Sequence, residues 1–170
     1  MRLIILGAGG YGRTIADVAA QTGAYDCICF LDDNSRAVDV VGQCKDFTDF
    51  ADDDTFFYPA FGNNEVRVEW INRLSASRCH ILTLVHPTAY VSSTVRIESG
   101  NVILPQAVVN TGCELKKGCI INCGAIVDHG CILEEGVHVC LGAIVKAENR
   151  IPRLMKIEAG EIVLNRTYPV

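Results

Sequence analysis

The second half of the chain keeps a beat of six residues. Val85, Val91, Ile97, Ile103, Val109, Leu115, Ile121, Val127, Leu133, Val139, Val145, Ile151, Ile157 and Val163 follow one another at that spacing, fourteen positions without a miss. Three residues after eight of these positions stand Gly100, Gly112, Gly118, Gly124, Gly130, Gly136, Gly142 and Gly160. Two residues before them come mostly small side chains: Ala89, Ala107, Cys113, Cys119, Ala125, Cys131 and Ala143. A helix repeats near 3.6 residues and a half-buried strand at two, so neither accounts for a period of six. A parallel β-helix built from hexapeptides does. The aliphatic residue points into the prism, the small one fits its narrow edge, and the glycine takes the turn. Three hexapeptides close one triangular coil of about 18 residues, and stacked coils share one core. After Val145, in "KAENRIPRLMKIEAG", the glycine and small-residue positions fail while the aliphatic beat persists. The expectation is a β-helix over residues 85–170 that ends in an irregular C-terminal cap.

Residues 1–84 follow a different grammar. "RLIIL" reads as a buried strand, "GAGGYG" as a tight turn and "RTIADVAAQTG" as a helix ended by Gly23. "DCICFLDD" and "DTFFYPAF" read as further strands, "NNEVRVEWINRLSAS" as a second helix, and "CHILTLV" as a closing strand. Strands alternating with helices predict a small parallel α/β sheet. The run "DFTDFADDD" reads as a solvated loop, with Trp70 in ordinary packing.

Gly7, Gly9 and Gly12 form GxGxxG between the first strand and helix, with Gly10 beside them, and Asp32 follows Gly12 by 20 residues. Such glycines let phosphates approach a helix N-terminus, and an acid at the end of the next strand receives ribose hydroxyls. About 84 residues are too few for both halves of a dinucleotide domain. One half suits a nucleotide sugar, with Asp32 and Asp33 on its ribose or base; an empty strand–helix turn is the alternative.

Composition narrows the classes further. Net charge is −5 without a basic block, which argues against nucleic acid or an anionic membrane surface as partner. No apolar run approaches the roughly 20 residues of a membrane span. The nine cysteines are odd in number, form no CxxC pair and follow no export signal. Reduced thiols in a cytoplasmic protein are therefore expected, and no metal site.

The stretches "ILGAGGYGRTIADVA", "FLDDN", "AFGNNEVR", "LVHPTAYV" and "IINCGAIVDHGCILEEGVHV" resemble the left-handed β-helix sugar acetyltransferases with an N-terminal nucleotide-sugar domain. This is the sialic acid O-acetyltransferase and bacillosamine N-acetyltransferase group. The resemblance implies a half-Rossmann domain followed by a left-handed β-helix, a homotrimer with active sites between neighbouring prisms, and acetyl transfer from acetyl-CoA to a sugar amine or hydroxyl. It implies that His129 is the general base, that His138 helps hold acetyl-CoA, and that Asn122 lies near the acceptor. Relatives often carry an acid directly after the base; here that position is Gly130, and Asp128 on the other side is the candidate to orient His129.

The chemistry fits these residue types. A neutral imidazole accepts a proton at neutral pH. Backbone N–H groups at the coil corners can hold a tetrahedral oxyanion, and the CoA thiolate leaves without a metal. An N-acetyltransferase of a nucleotide-linked amino sugar leads, with O-acetylation of sialic acid or another surface sugar close behind. A catalytically silent nucleotide-sugar binder and an NAD-dependent oxidoreductase are the other classes.

Overall fold

Short apolar runs flanked by turns build the first unit. In the computed structural model, which describes residues 1–170, the chain divides into two units, Met1–Leu82 and Thr83–Val170. The first holds β1 (Arg2–Leu6), α1 (Gly10–Gln21), β2 (Cys27–Leu31), β3 (Val40–Gly42), β4 (Thr55–Pro59), α2 (Asn64–Ala76) and β5 (His80–Ile81). All five strands are parallel, in the order β3-β2-β1-β4-β5. The central β1 is apolar on both faces, as a strand covered on both sides must be: Leu3, Ile4, Ile5 and Leu6 are fully buried. The chain runs outward in both directions from β1, so its C-terminal end lies at the point where such sheets take ligands.

Three features depart from the sequence reading. β3, only three residues long, was too short to signal itself. The "DFTDF" run is no loop: Cys44–Phe50 forms a 3₁₀ helix closed by a capping box between Gln43 and Asp46. Its Phe47 is buried edge-on against Phe57 and Trp70. "CHILTLV" is divided, with His80–Ile81 pairing β4 and Leu84–Val85 pairing Val102–Ile103. In α2 the expected Ile71 and Leu74 are buried, as is Arg67, whose guanidinium donates to Phe61 O at 3.0 Å and Asn64 Oδ1 at 2.8 Å.

The second unit is a three-sided prism of two-residue strands, each paired in parallel with the strand one coil before and after. The first face carries Leu84–Val85, Val102–Ile103, Ile120–Ile121, His138–Val139 and Lys156–Ile157. The second carries Tyr90–Val91, Val108–Val109, Ile126–Val127, Ile144–Val145 and Ile162–Val163. The third carries Arg96–Ile97, Glu114–Leu115, Ile132–Leu133 and Arg150–Ile151. From Ile103 to Ile157 every residue on the beat is fully buried, stacked with Ala107, Cys113, Cys119, Ala125, Cys131 and Ala143. Each such Val, Ile or Leu stabilises the prism by about 1.5–3 kcal/mol. Asn101 and Asn149 take small-residue positions and are fully buried. Asn149 donates to Lys146 O and Leu164 O and accepts from Tyr168 N, each at 2.8 Å.

The prism does not become irregular after Val145. Strands at Arg150–Ile151, Lys156–Ile157 and Ile162–Val163 stay in register with the coil below. Where the turn glycines run out, Glu148 (φ 58°) and Leu154 (φ 62°) adopt the left-handed conformation instead. Each is tied down by an N–H bond to the coil beneath, Glu148 to His129 O and Leu154 to Glu135 O. Such a conformation costs a non-glycine residue on the order of 1 kcal/mol, which the shared core offsets.

Candidate active site

His129 stands at the corner between the second and third faces, after Ile126–Val127 and before Ile132–Leu133. The backbone around it is fastened from both sides. Asp128 N donates to Val145 O at 2.9 Å, and Gly130 N to Thr111 O at 3.0 Å. Cys113 Sγ in the core donates to Asp128 O at 3.0 Å, and Glu148 N donates to His129 O at 3.1 Å. Gly130 carries φ +66°, so the turn needs a residue tolerant of the left-handed region. The imidazole itself is exposed and makes no hydrogen bond within the chain. The fold thus fixes the turn and leaves the ring outward, free to meet a substrate.

Asp128 is half-buried and does not reach the ring. Its Oδ1 accepts from its neighbour's backbone, His129 N, at 2.7 Å and from Asn110 Nδ2 at 3.3 Å. It holds the turn. Asn110, one coil below Asp128, went unnoticed in the sequence, although a step of 18 residues would have found it.

Asn122 and His138 form a second cluster. Asn122 Nδ2 and His138 Nε2 lie 3.1 Å apart, and Asn122 Oδ1 accepts from Cys123 N at 2.8 Å. His138 is on the first face, and Asn122 follows a first-face strand at the corner leading to the second face. His129 and Asn122 therefore sit at opposite edges of the second face, seven residues apart, a span of up to about 23 Å along extended chain. A single chain does not bring the two clusters together. No group of three or more His, Cys, Asp or Glu side chains able to hold a metal ion is present.

The first unit carries a separate candidate site at the C-terminal ends of β1 and β2. No side chain caps α1 and no acid lies in its first turn, which leaves N–H groups and the positive end of the helix dipole available to an anion. The glycines divide by need. A Cβ on Gly12 would lie 1.9 Å from Gly7 O, so this position must be glycine for α1 to pack on β1; Gly7 needs it for its φ of +102°. At Gly9 and Gly10 a Cβ would meet nothing within 4 Å. Nothing in the chain's own packing requires glycine there.

Asp32 and Asp33 are more occupied than the sequence reading supposed. Asp32 Oδ2 accepts from Ala8 N at 2.7 Å, and Oδ1 accepts from Asn34 N at 2.8 Å and Ser35 N at 2.7 Å. The Ala8 N–H first, with those of Ser35 and Asn34 and the charge of Arg13, holds its carboxyl below the usual carboxylate range against partial burial. Asp33 Oδ1 accepts from Cys44 N at 2.9 Å. Both acids organise loops around a shallow cleft of about 290 Å³ lined by Asp32, Ser35, Arg36, Val40, Gly42 and Gln43. Asp33 Oδ2 remains open to a ligand hydroxyl.

His86 and His80 stay outside both clusters. His86 is buried and its Nδ1 accepts from Thr88 N at 3.0 Å, ordering the turn into the first coil. His80 packs against Phe56.

Residues 2–74 match the family described as PglD N-terminal domain. The acetyltransferase domain of PglB from Neisseria gonorrhoeae FA1090 superposes with a TM-score of 0.93 at 33% identity, covering 97% of this chain and 83% of that one. Its complex with acetyl coenzyme A gives a TM-score of 0.92. The UDP-N-acetylbacillosamine N-acetyltransferase of Bacillus subtilis (strain 168) is 31% identical over 107 residues, 59% of this chain. The match spans about half the length of that curated relative. PerB from Caulobacter crescentus, with CoA and GDP-perosamine, shares the fold at a TM-score of 0.69 and 17% identity, covering 100% of this chain and 92% of that one.

Proposed function

Because the chain belongs to the left-handed β-helix sugar acetyltransferases that carry a PglD-type N-terminal domain, we propose that it transfers an acetyl group from acetyl-CoA to the amine of a nucleotide-linked amino sugar. In this reading the first unit takes the nucleotide. Its diphosphate lies over Gly9 and Gly10 at the uncapped start of α1, and Asp33, with the loops that Asp32 holds, frames the nucleoside. The prism carries the chemistry. His129 accepts a proton from the attacking amine as its nitrogen bonds to the thioester carbonyl. Backbone N–H groups take the negative charge of the tetrahedral oxygen. Collapse breaks the C–S bond, and the imidazolium returns the proton to the departing CoA sulfur. His138 and Asn122 hold the acyl donor and the acceptor.

The observation that carries this reading is the exposed, otherwise unemployed imidazole on a turn fastened by backbone bonds above and below. A threefold assembly completes it. The outward residues of the second face, Tyr90, Val108, Ile126, Ile144 and Ile162, are all apolar, with Tyr90 and Ile162 57% and 52% exposed. On the third face the same places carry Arg96, Glu114, Ile132 and Arg150, three of the four charged. Three parallel prisms with their apolar faces toward a common axis bury this ladder. The His129 edge of each then abuts the Asn122 edge of the next. Acetyl-CoA and nucleotide sugars as substrates, with nine free thiols, suit a cytoplasmic setting.

The test mixes the protein with acetyl-CoA and a panel of nucleotide-linked amino sugars and follows thiol release. His129→Ala should lower turnover by roughly 10² or more while the protein stays folded. Unchanged turnover in that variant would remove His129 as the base. Binding of the nucleotide sugar without thiol release for any acceptor would favour a silent binder.

A further inference from the structure

Most corners of the prism close in one way: the carbonyl one residue after the beat accepts the N–H three residues on. Asn122 O accepts from Ala125 N, Cys140 O from Ala143 N and Glu158 O from Glu161 N, each at 3.0 Å. The turn that carries His129 departs from this. Asp128 O, where the Cys131 N–H would arrive, accepts no main-chain N–H; its donor is the Cys113 thiol, at 3.0 Å. That thiol lies in the core, 1% exposed, at the small-residue place of the coil below. The step of 15 residues recurs wherever that place holds a donor. Cys131 Sγ reaches Lys146 O at 3.3 Å, Cys119 Sγ reaches Glu134 O at 3.2 Å and Asn149 Nδ2 reaches Leu164 O at 2.8 Å. Fifteen residues before Asn122, Cys140 and Glu158 stand Ala107, Ala125 and Ala143 instead, which have no side-chain donor.

The Asp128 carbonyl and the His129 N–H belong to one planar peptide group. The N–H goes to Asp128 Oδ1 at 2.7 Å, so side chains alone hold both ends of that plane. Its tilt sets the direction in which the His129 Cα–Cβ bond leaves the backbone. Resting on the reading of His129 as base, we propose that Cys113 is a positioning residue for the transfer: its thiol, donating from the prism core to Asp128 O, fixes the peptide plane from which the His129 imidazole projects. Cys113 touches neither substrate and acts only through the turn. A base displaced by about 1 Å loses up to about 10² in proton transfer, while binding made by other residues is untouched. The loss therefore falls on kcat and spares KM.

The experiment compares wild type, Cys113→Ala, Cys113→Ser and Cys119→Ala as full chains. Alanine already fills the small-residue place at Ala107, Ala125 and Ala143, all fully buried, so the prism accepts it. Steady-state kinetics are followed for acetyl-CoA and for the best acceptor of the nucleotide-sugar panel, with thermal unfolding and amide hydrogen exchange on each variant. Cys113→Ala should lower kcat by about threefold to tenfold, leave both KM values within about twofold, and speed exchange at His129 and Gly130. Cys113→Ser restores a donor and should recover about half or more of the lost kcat. Cys119→Ala removes a thiol–carbonyl bond at a corner that carries neither His129 nor Asn122. It should keep kcat within about twofold, whatever it does to Tm. A folded Cys113→Ala with the kcat and exchange of wild type would overturn the proposal. So would an equal loss of kcat in Cys119→Ala, or a serine no better than alanine. An active His129→Ala removes the base reading instead, and exchange at His129 then still reports whether the thiol holds the turn.

Discussion

Gly12 and Gly9 belong to one glycine motif, yet the structure predicts opposite consequences for adding a methyl group to each. On Gly12 the new carbon would lie 1.9 Å from Gly7 O and 3.0 Å from Gly7 C. Non-bonded carbon and oxygen do not approach within about 3.0 Å, so something must yield by about 1 Å or more. Gly7 cannot, since its N–H is bonded to Leu31 O at 2.8 Å and the next N–H to Asp32. The helix must lift instead, loosening Ile15, Val18 and Ala19, which are 0%, 2% and 0% exposed. Overpacking of this kind costs about 2–3 kcal/mol. For a unit of this size that is a fall in Tm of roughly 10–20 °C.

Gly9→Ala meets open space at φ −73°, so stability should stay within about 0.5 kcal/mol. Its methyl group would instead occupy the approach of a diphosphate to α1, and nucleotide-sugar affinity should fall about tenfold or more. Differential scanning calorimetry reads the first effect and isothermal titration with UDP-sugars the second. Equal melting of Gly12→Ala and wild type would refute the packing argument. Undiminished binding by Gly9→Ala would refute the placement of the phosphates.

Three further outcomes follow from the geometry. Asp32 has its carboxyl depressed by backbone N–H bonds, so its stabilisation is present above the unfolded value of about 3.9 and is lost as pH falls through the lower folded value. Asp32→Asn should therefore melt well below wild type at pH 7, and the gap should close under strong acid; a pH-independent gap contradicts this. Asn149→Ala strips four side-chain hydrogen bonds from a fully buried corner. It should cost about 2–4 kcal/mol in denaturant unfolding, with faster exchange of the Tyr168 amide. Ile144→Glu places a charge in the middle of the apolar second face. Sedimentation should show trimers replaced by monomers, with turnover lost although His129 is intact; a trimeric variant would move the interface elsewhere.

The beat of six was enough to read the prism, because the residues that fill its core recur with the coil and nothing else needs to be known. It was not enough to read what the core carries. Asn110 with Asp128, and Gly130 with Glu148 and Arg166, are separated by 18 residues, so they meet only when the chain is counted by whole coils. Glu148 and Leu154 break the glycine rule yet hold the glycine conformation, since a bond to the coil below decides the backbone angle there and composition does not. The same arithmetic sharpens the pair His129 and His138. Nine residues is half of 18, so the spacing that marks the pair in sequence sets it on opposite sides of the prism, one at a corner and the other on the facing side. No rotamer closes that gap within one chain. If both histidines serve one acetyl transfer, the second must come from a neighbouring prism, and the apolar ladder between the Asn122 and His129 edges is the surface that would bring it there.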